Sequence, residues 1–162
     1  MEQGAPPGLA DLAGKGWLAI GEYWANQFRK LKLVLPLEKS FAVKDRYFRK
    51  ALASFEKAER DVPVDVAVNA SLSSGDLLVE FGRAIIASQR PRGIKGDELA
   101  QYEDALKVRA RTFFERAVNW YAGALDRLEA EEGRPDLALS ISRRLEETQQ
   151  MLAGIPRPQE AR

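Results

Sequence analysis

The side chains of this chain that could do chemistry are its carboxylates, because the sequence contains no histidine and no cysteine. Thiolate nucleophiles, cysteine or histidine metal sites and the one side chain whose ordinary pKa lies near neutral pH are therefore excluded. Closely spaced carboxylates include Glu129 with Glu131 and Glu132, and Glu146 with Glu147. Neighbours this close point in different directions on a helix, so we expect neither a shared proton nor a shared metal ion. The sequence predicts no catalytic residue, no metal site and no cofactor.

The glycines do not form a phosphate-binding motif. They mark the ends of apolar segments and form no Gly-rich loop after a strand that would cradle a phosphate. We therefore predict a protein that is not an enzyme and has no small-molecule substrate. The least favoured alternative is a small enzyme that uses only Asp, Glu, Lys, Arg, Tyr or Ser, which a pocket with paired carboxylates would support.

A local basic region interrupts a balanced charge distribution. The chain carries 25 Lys and Arg against 24 Asp and Glu, a net charge of +1, so no global field attracts nucleic acid. Residues 29–50 contain eight basic and two acidic side chains, and these acids argue further against nucleic acid. The region is either a solvated helix face or a docking patch for an acidic protein or anionic lipid headgroups. The candidate contacts are Arg29, Lys30, Arg46, Arg49 and Lys50.

Aromatic side chains are concentrated just before this basic region. Trp17, Tyr23, Trp24 and Phe28 fall within twelve residues, and the two tryptophans share a helical face because they are seven apart. Burial against the next helix explains that face. The alternative is insertion into a partner groove or contact with a membrane surface. Under that alternative Trp17, Tyr23 and Trp24 are candidate partner contacts.

Apolar residues that recur every three or four positions predict an all-α fold of about five helices. Proline or glycine ends each one, which gives expected ranges of 17–35, 38–60, 64–89, 96–131 and 135–153. No strand pattern competes, and the longest apolar run is far below the ~18 residues that span a bilayer. We expect one helical domain over 17–154 with flexible tails at 1–16 and 155–162.

The turn predicted between the third and fourth helices holds two further candidate contacts. Pro91 and Gly93 favour a turn, and Arg90 and Arg92 alternate with them. If they are exposed, the two guanidinium groups would pair with carboxylates of a partner. The alternative is a structural role within the turn.

Two segments carry the same pattern, with alanine, phenylalanine and alanine at offsets of 0, 4 and 7. They are Ala51, Phe55 and Ala58, and Ala110, Phe114 and Ala117. The small residues let a neighbouring helix come close while the phenylalanine fills the gap. This pattern predicts helices stacked as antiparallel hairpins, with Phe55 and Phe114 in the contact seams.

The first of these segments, followed by Pro63, fits the second helix of a tetratricopeptide repeat, although no first-helix signature precedes it. The 59-residue spacing of the two segments differs from the ~34 of regular arrays, so the architecture is expected to be irregular and tetratricopeptide-like. Further motifs are LPLEKS at 35–40, KAL at 50–52, FEKA at 55–58, SQRP at 88–91, GDEL at 96–99 and FERA at 114–117. With these motifs in this order, the chain resembles the C-terminal helical module of large bacterial tetratricopeptide proteins of the cell envelope, some of which are associated with gliding motility.

The resemblance implies a non-catalytic interaction scaffold, a structural or adaptor subunit of a larger bacterial complex whose partners are other protein subunits. It implies a periplasmic or membrane-associated location in the cell envelope. If Met1 is the native start, the lack of a signal peptide predicts the cytoplasm instead. The alternative function is a peripheral membrane accessory subunit that the Trp-rich N-terminal helix anchors.

Overall fold

The fold is all-helical in the computed structural model, which describes residues 8–60, 62–130 and 134–157. These residues form five helices and no strand, which confirms the predicted class and helix number. In the same ranges no helix combines the length and the apolarity needed to cross a membrane. The helices are α1 (Leu9–Lys30), α2 (Leu37–Ala58), α3 (Val64–Ile86), α4 (Gly96–Glu129) and α5 (Pro135–Ala153).

The start of α1 corrects the predicted N-terminal tail. The helix begins at Leu9 rather than at Trp17, so the tail prediction is wrong for residues 9–16, while residues 1–7 lie outside the described part of the chain. Gly14 is buried in that first half, and a Cβ on it would come within 2.7 Å of Val62. A glycine that the sequence suggests is flexible is therefore a close packing contact with the segment between α2 and α3.

The other end of the chain is also more ordered than predicted. Ile155, assigned to the C-terminal tail, is buried against the core. Its carbonyl accepts a hydrogen bond from Arg111 Nη1 of α4 at 3.0 Å. The tail prediction is thus wrong at Ile155, and residues 158–162 lie outside the described ranges.

Glycines set the spacing within each of the two antiparallel hairpins. In the first hairpin, α1 with α2, a Cβ on Gly21 would collide with the Phe55 ring. In the second, α3 with α4, a Cβ on Gly82 would lie 2.6 Å from the Phe114 ring. Both rings are buried, as predicted. Because no side chain separates the helices at these points, the phenylalanines fill the seams at short range.

The glycine contacts repeat seven residues away in both hairpins. Gly14 contacts Val62, and Gly75 contacts Tyr121, where a Cβ on the glycine would lie 2.5 Å from the tyrosine ring. Each contact lies seven residues earlier on the first helix and seven residues later along the second partner of the pairing, which is α4 for Tyr121 and the segment just after α2 for Val62. The two hairpins are therefore built on one plan.

Two parallel helices, α1 and α3, lie side by side in one layer of the fold. Ser73 Oγ donates to Glu22 Oε1 at 3.1 Å, and two turns further along Arg29 Nε donates to Glu80 Oε2 at 2.9 Å. Both pairs are 51 residues apart, so the helices run in the same direction.

The remaining helices complete this layer and form a second one. Helix α5 joins α3 through Arg144 Nε, which donates to Asp76 Oδ1 at 3.0 Å. Helices α2 and α4 form the other layer, where Arg109 Nη1 donates to Glu38 Oε1 at 2.8 Å. Alternate helices along the chain thus share a face, and α1, α3 and α5 line it together.

Phe81 of α3 joins the two hairpins at the centre of the core. Its fully buried ring lies 5.2 Å from the Phe28 ring centroid, 5.1 Å from those of Phe41 and Phe48, and 4.6 Å from that of Phe113. These four rings come from α1, α2 and α4. The hairpins are therefore held together by one aromatic cluster.

Candidate functional site

The face formed by α1, α3 and α5 carries two clefts, one on each side of α3. The α3/α5 cleft has a volume of about 510 Å³, and the α1/α3 cleft, at the C-terminal ends of those helices, has about 700 Å³. Both volumes fall in the range of ligand-binding clefts. Glu80 and Arg83 line both, so the clefts adjoin along α3.

A closed hydrogen-bond cluster forms the base of the α3/α5 cleft. Tyr121 Oη donates to Asp76 Oδ1 at 2.6 Å, and Arg144 Nε donates to the same oxygen. Burial raises the pKa of Tyr121, and the hydrogen bond to Asp76 adds to the shift, so the phenol remains a donor. Arg144 Nη1 also donates to Ser140 Oγ at 2.5 Å. The base is rigid because its polar groups satisfy one another.

Four other charged side chains of the α3/α5 cleft have no partner of their own. Arg83, Arg143, Asp136 and Glu147 line it, and none makes a hydrogen bond or ion pair with any residue that the structure describes. Two guanidinium groups and two carboxylates are therefore free to pair with a bound molecule. The cleft suits a ligand that presents both signs of charge.

The α1/α3 cleft is mostly apolar and has a buried lysine at its base. Lys44 of α2, only 3% exposed, donates through Nζ to the carbonyls of Phe28 and Leu31, both at 2.8 Å. Its Nζ also lies 3.7 Å from the centroid of the Phe28 ring. Burial lowers the pKa of Lys44 to about 8, and the Glu80 carboxylate opposes that shift. Lys44 therefore ties α2 to the open carbonyl end of α1.

The predicted tryptophans belong to the seam between α1 and α2. Trp17 and Trp24 are half-buried and pack against the core. Lys57 Nζ lies 4.2 Å from the Trp17 ring centroid, and Lys50 Nζ lies 4.1 Å from that of Trp24. These cation–π contacts join the two helices. Tyr23, by contrast, is exposed, with its ring edge-on to Trp24.

The predicted basic candidates divide into engaged and open side chains. Arg29 pairs with Glu80, Arg49 Nε donates to Asp45 Oδ2 at 2.6 Å, and Arg90 Nη1 donates to Ile86 O at 2.8 Å. Of these three, Arg29 links α1 to α3, whereas Arg49 and Arg90 each bond to a residue four positions earlier in the chain. Lys30, Arg46 and Arg92 are exposed and make no hydrogen bond or ion pair within the described part of the chain.

The structure does not bring the predicted candidates together at one site. Most lie along α1 and α2, whereas Arg90 and Arg92 lie in the turn before α4. Sequence reasoning missed the free charges of the α3/α5 cleft. A signal was present in α3, whose charged residues beyond the first turn are Asp76, Glu80 and Arg83, at offsets of 0, 4 and 7. That spacing places three charges on one face.

The described ranges contain no group of acidic side chains that could hold a metal ion. Comparison of the chain with family models, with curated proteins and with solved structures finds no match. The candidate site is therefore assigned from its own geometry.

Proposed function

We propose that this chain is a non-catalytic scaffold that binds a partner protein through the α3/α5 cleft. The observation that carries the proposal is the set of four unpaired charges around a base that is already satisfied. A rigid base loses little conformational freedom when a ligand binds, and free charges of both signs select a complementary surface. A peptide segment that carries Asp or Glu near Lys or Arg fits that pattern.

The architecture supports the same proposal. Two hairpins of one plan and a fifth helix place α1, α3 and α5 on a single face, as a tetratricopeptide-like scaffold would need in order to present a binding surface. Within this proposal the chain is a structural or adaptor subunit of a larger bacterial complex. Its envelope location rests on the sequence resemblance.

The proposal is tested by reversing the free cations of the cleft. Wild-type protein and the Arg83→Glu/Arg143→Glu double variant would each be used to capture partners from a lysate of the source organism, with recovery measured by mass spectrometry. We expect recovery of the specific partner to fall at least about tenfold in the variant, because two attractive contacts become repulsive. Circular dichroism checks that both proteins are equally folded.

The matched control is Lys30→Glu/Arg46→Glu, which makes the same change in charge at two exposed residues outside both clefts. We expect this variant to retain the partner. Equal recovery by wild type and the cleft variant would show that the α3/α5 cleft is not the binding site. Loss of the partner in the control alone would move the site to the predicted α1 and α2 candidates.

The alternative, a peripheral membrane subunit, draws on the exposed Leu9, Leu12, Ile20 and Tyr23 of α1. An amphipathic helix that lies on a bilayer buries such a face at the headgroup boundary. Flotation with anionic liposomes separates the two functions. Protein that stays at the bottom of the gradient supports the scaffold, and protein that floats supports the alternative.

A further inference from the structure

Helix α1 carries a continuous row of exposed apolar residues, which we name the α1 stripe. Its large members are Leu9, Leu12, Ile20 and Tyr23, exposed by 52, 67, 43 and 56%. Its small members, also exposed, are Ala13, Gly16 and Ala19. These residues fall on one side of the helix, opposite the buried positions that face the core, and no charged residue interrupts them. A contiguous apolar surface of this kind marks an interaction site.

The order of residues in the stripe is symmetric about Gly16. Leu9 and Tyr23 lie seven residues on either side of it, Leu12 and Ile20 lie four, and Ala13 and Ala19 lie three. Two α1 helices that cross antiparallel at Gly16 would therefore place their small residues at the crossing, where the backbones come closest. Leu12 of one helix would meet Ile20 of the other, and Leu9 would meet Tyr23. A two-fold axis at Gly16 relates both contacts, as an isologous interface requires.

The charged residues beside the stripe do not oppose this pairing. Lys15 Nζ lies 2.7 Å from Asp11 Oδ2 on the same helix, so these two charges neutralise each other. Glu22 accepts hydrogen bonds from Ser73 and Arg29 of its own chain. An identical surface can thus approach without bringing unpaired like charges together.

The exposed surface is large enough for a modest dimer. Exposed fractions near one half on four large apolar side chains, with three small residues between them, amount to about 500 Å² per protomer. Two copies would bury on the order of 1,000 Å², which is the lower bound for a specific interface.

The face of α3 that is equivalent to the α1 stripe packs against other helices. Gly14 and Gly21 of α1 correspond to Gly75 and Gly82 of α3, an offset of 61 residues. At that offset Leu12 corresponds to Ser73 and Ile20 to Phe81. Ser73 contacts α1 and Phe81 packs on rings of α1 and α2, so in α3 this face is the docking face of the helix. In α1 the equivalent face is open.

We propose that a second copy of this chain docks on the α1 stripe to form an antiparallel homodimer. The proposal is independent of partner binding in the α3/α5 cleft, because the two surfaces share no residue. In the dimer, the α1 stripe of one chain is covered by the α1 stripe of the second copy. A lipid surface and an unrelated protein are the competing occupants.

The mass in solution tests the proposal. At about 50 μM, multi-angle light scattering should give the wild type about twice its 18.1 kDa monomer mass. Leu12→Arg/Ile20→Arg should give the monomer mass, because each protomer would bury two charges in an apolar interface. The matched control is Leu139→Arg, since Leu139 is a comparably exposed leucine, at 55%, on α5; it should remain a dimer. A monomeric wild type, or a dimer that survives the double variant, overturns the proposal.

The antiparallel geometry is tested by disulfide cross-linking. Because the sequence contains no cysteine, each introduced cysteine is the only thiol of its chain. Gly16→Cys should form a disulfide-linked dimer on mild oxidation, and the added side chain has open space, because a Cβ there would meet no described atom within 4 Å beyond its own stretch of helix. A mixture of Ala13→Cys and Ala19→Cys proteins should cross-link more than either protein alone. Equal cross-linking of Ala13→Cys with itself, or cross-linking through Leu139→Cys, contradicts the geometry. Wild-type protein that is monomeric but floats with liposomes assigns the stripe to a membrane and overturns the dimer.

Discussion

Lys44 illustrates, at the scale of one residue, how a buried charge is accommodated at a helix end. The last carbonyl groups of α1 have no partner inside the helix. Lys44 reaches across from α2 to the carbonyl of Phe28, in the last turn of α1, and to that of Leu31, the residue after the helix. Attraction between a cation and a helix C-terminus offsets part of the cost of removing the ammonium group from water. The rest of that cost lowers the pKa of Lys44 to about 8. The contact between the two helices is therefore sensitive to alkaline pH.

We expect the wild type to gain stability relative to Lys44→Met as the pH rises from about 8 towards the ordinary lysine pKa of 10.5. In that interval the unfolded chain keeps the Lys44 proton and the folded chain releases it, so the free energy of unfolding increases with pH. Below about pH 8 both states are protonated, and the difference between the two proteins should be constant. Urea unfolding of both proteins across this range measures the difference. A difference that stays flat or falls would contradict the assignment.

The pairing of helices depends on glycine at the points where an aromatic ring fills the seam. Gly82 illustrates this, because the Phe114 ring against it is fully buried and has little room to move. Gly123 of α4 provides the contrast, since a Cβ there would meet no described atom within 4 Å beyond its own stretch of helix. Both glycines lie inside helices, so they share the same low intrinsic helix propensity.

We therefore expect Gly82→Ala and Gly123→Ala to change stability in opposite directions. Gly82→Ala should lower the free energy of unfolding by about 1–3 kcal/mol, because the new methyl group overpacks the seam. Gly123→Ala should raise it by about 0.5–1 kcal/mol, because alanine favours the helix. Urea denaturation of the two variants and the wild type gives both values. A stabilising Gly82→Ala would show that the ring relaxes and that the seam is not tight.

The seam phenylalanines could be predicted from the sequence because their spacing is local. Ala51, Phe55 and Ala58 lie within two turns of one helix, and 3.6-residue periodicity is enough to place them. The facing glycines could not be assigned to the same seam, because Gly21 lies 34 residues before Phe55 and the register of two helices is a tertiary property. For the same reason the sequence predicts that Gly14 belongs to a tail, whereas it packs against Val62.

The candidate cleft was missed for a related reason. Its walls come from α3 and α5, which are separated along the chain by the whole of α4. Periodicity gives the face of each helix but not which helix lies beside it. Arg83 and Arg143 could therefore be placed on helix surfaces, whereas their convergence on one cleft required the fold.

At the scale of the whole molecule, the aromatic cluster around Phe81 decides whether the hairpins behave as one unit. Its contacts reach α1, α2 and α4 from a single ring of α3. We expect Phe81→Ala to lower the free energy of unfolding by about 3–5 kcal/mol, as for other large core truncations. Phe41→Ala should cost less, because Phe41 is half-buried at the edge of the same cluster. Thermal and urea unfolding measure both, and an equal loss in the two variants would contradict the central role of Phe81.

Arg83 has a consequence for the molecule as a whole, because this one guanidinium group stands on the boundary of both clefts. It can align with only one carboxylate at a time in a two-pronged geometry. If an anionic ligand in the α3/α5 cleft forms an ion pair with Arg83, that positive charge is no longer available to a ligand in the α1/α3 cleft. The reverse holds by thermodynamic reciprocity. Two anionic ligands, one in each cleft, would thus compete for Arg83 without contacting each other, and binding in one cleft would lower the affinity of the other.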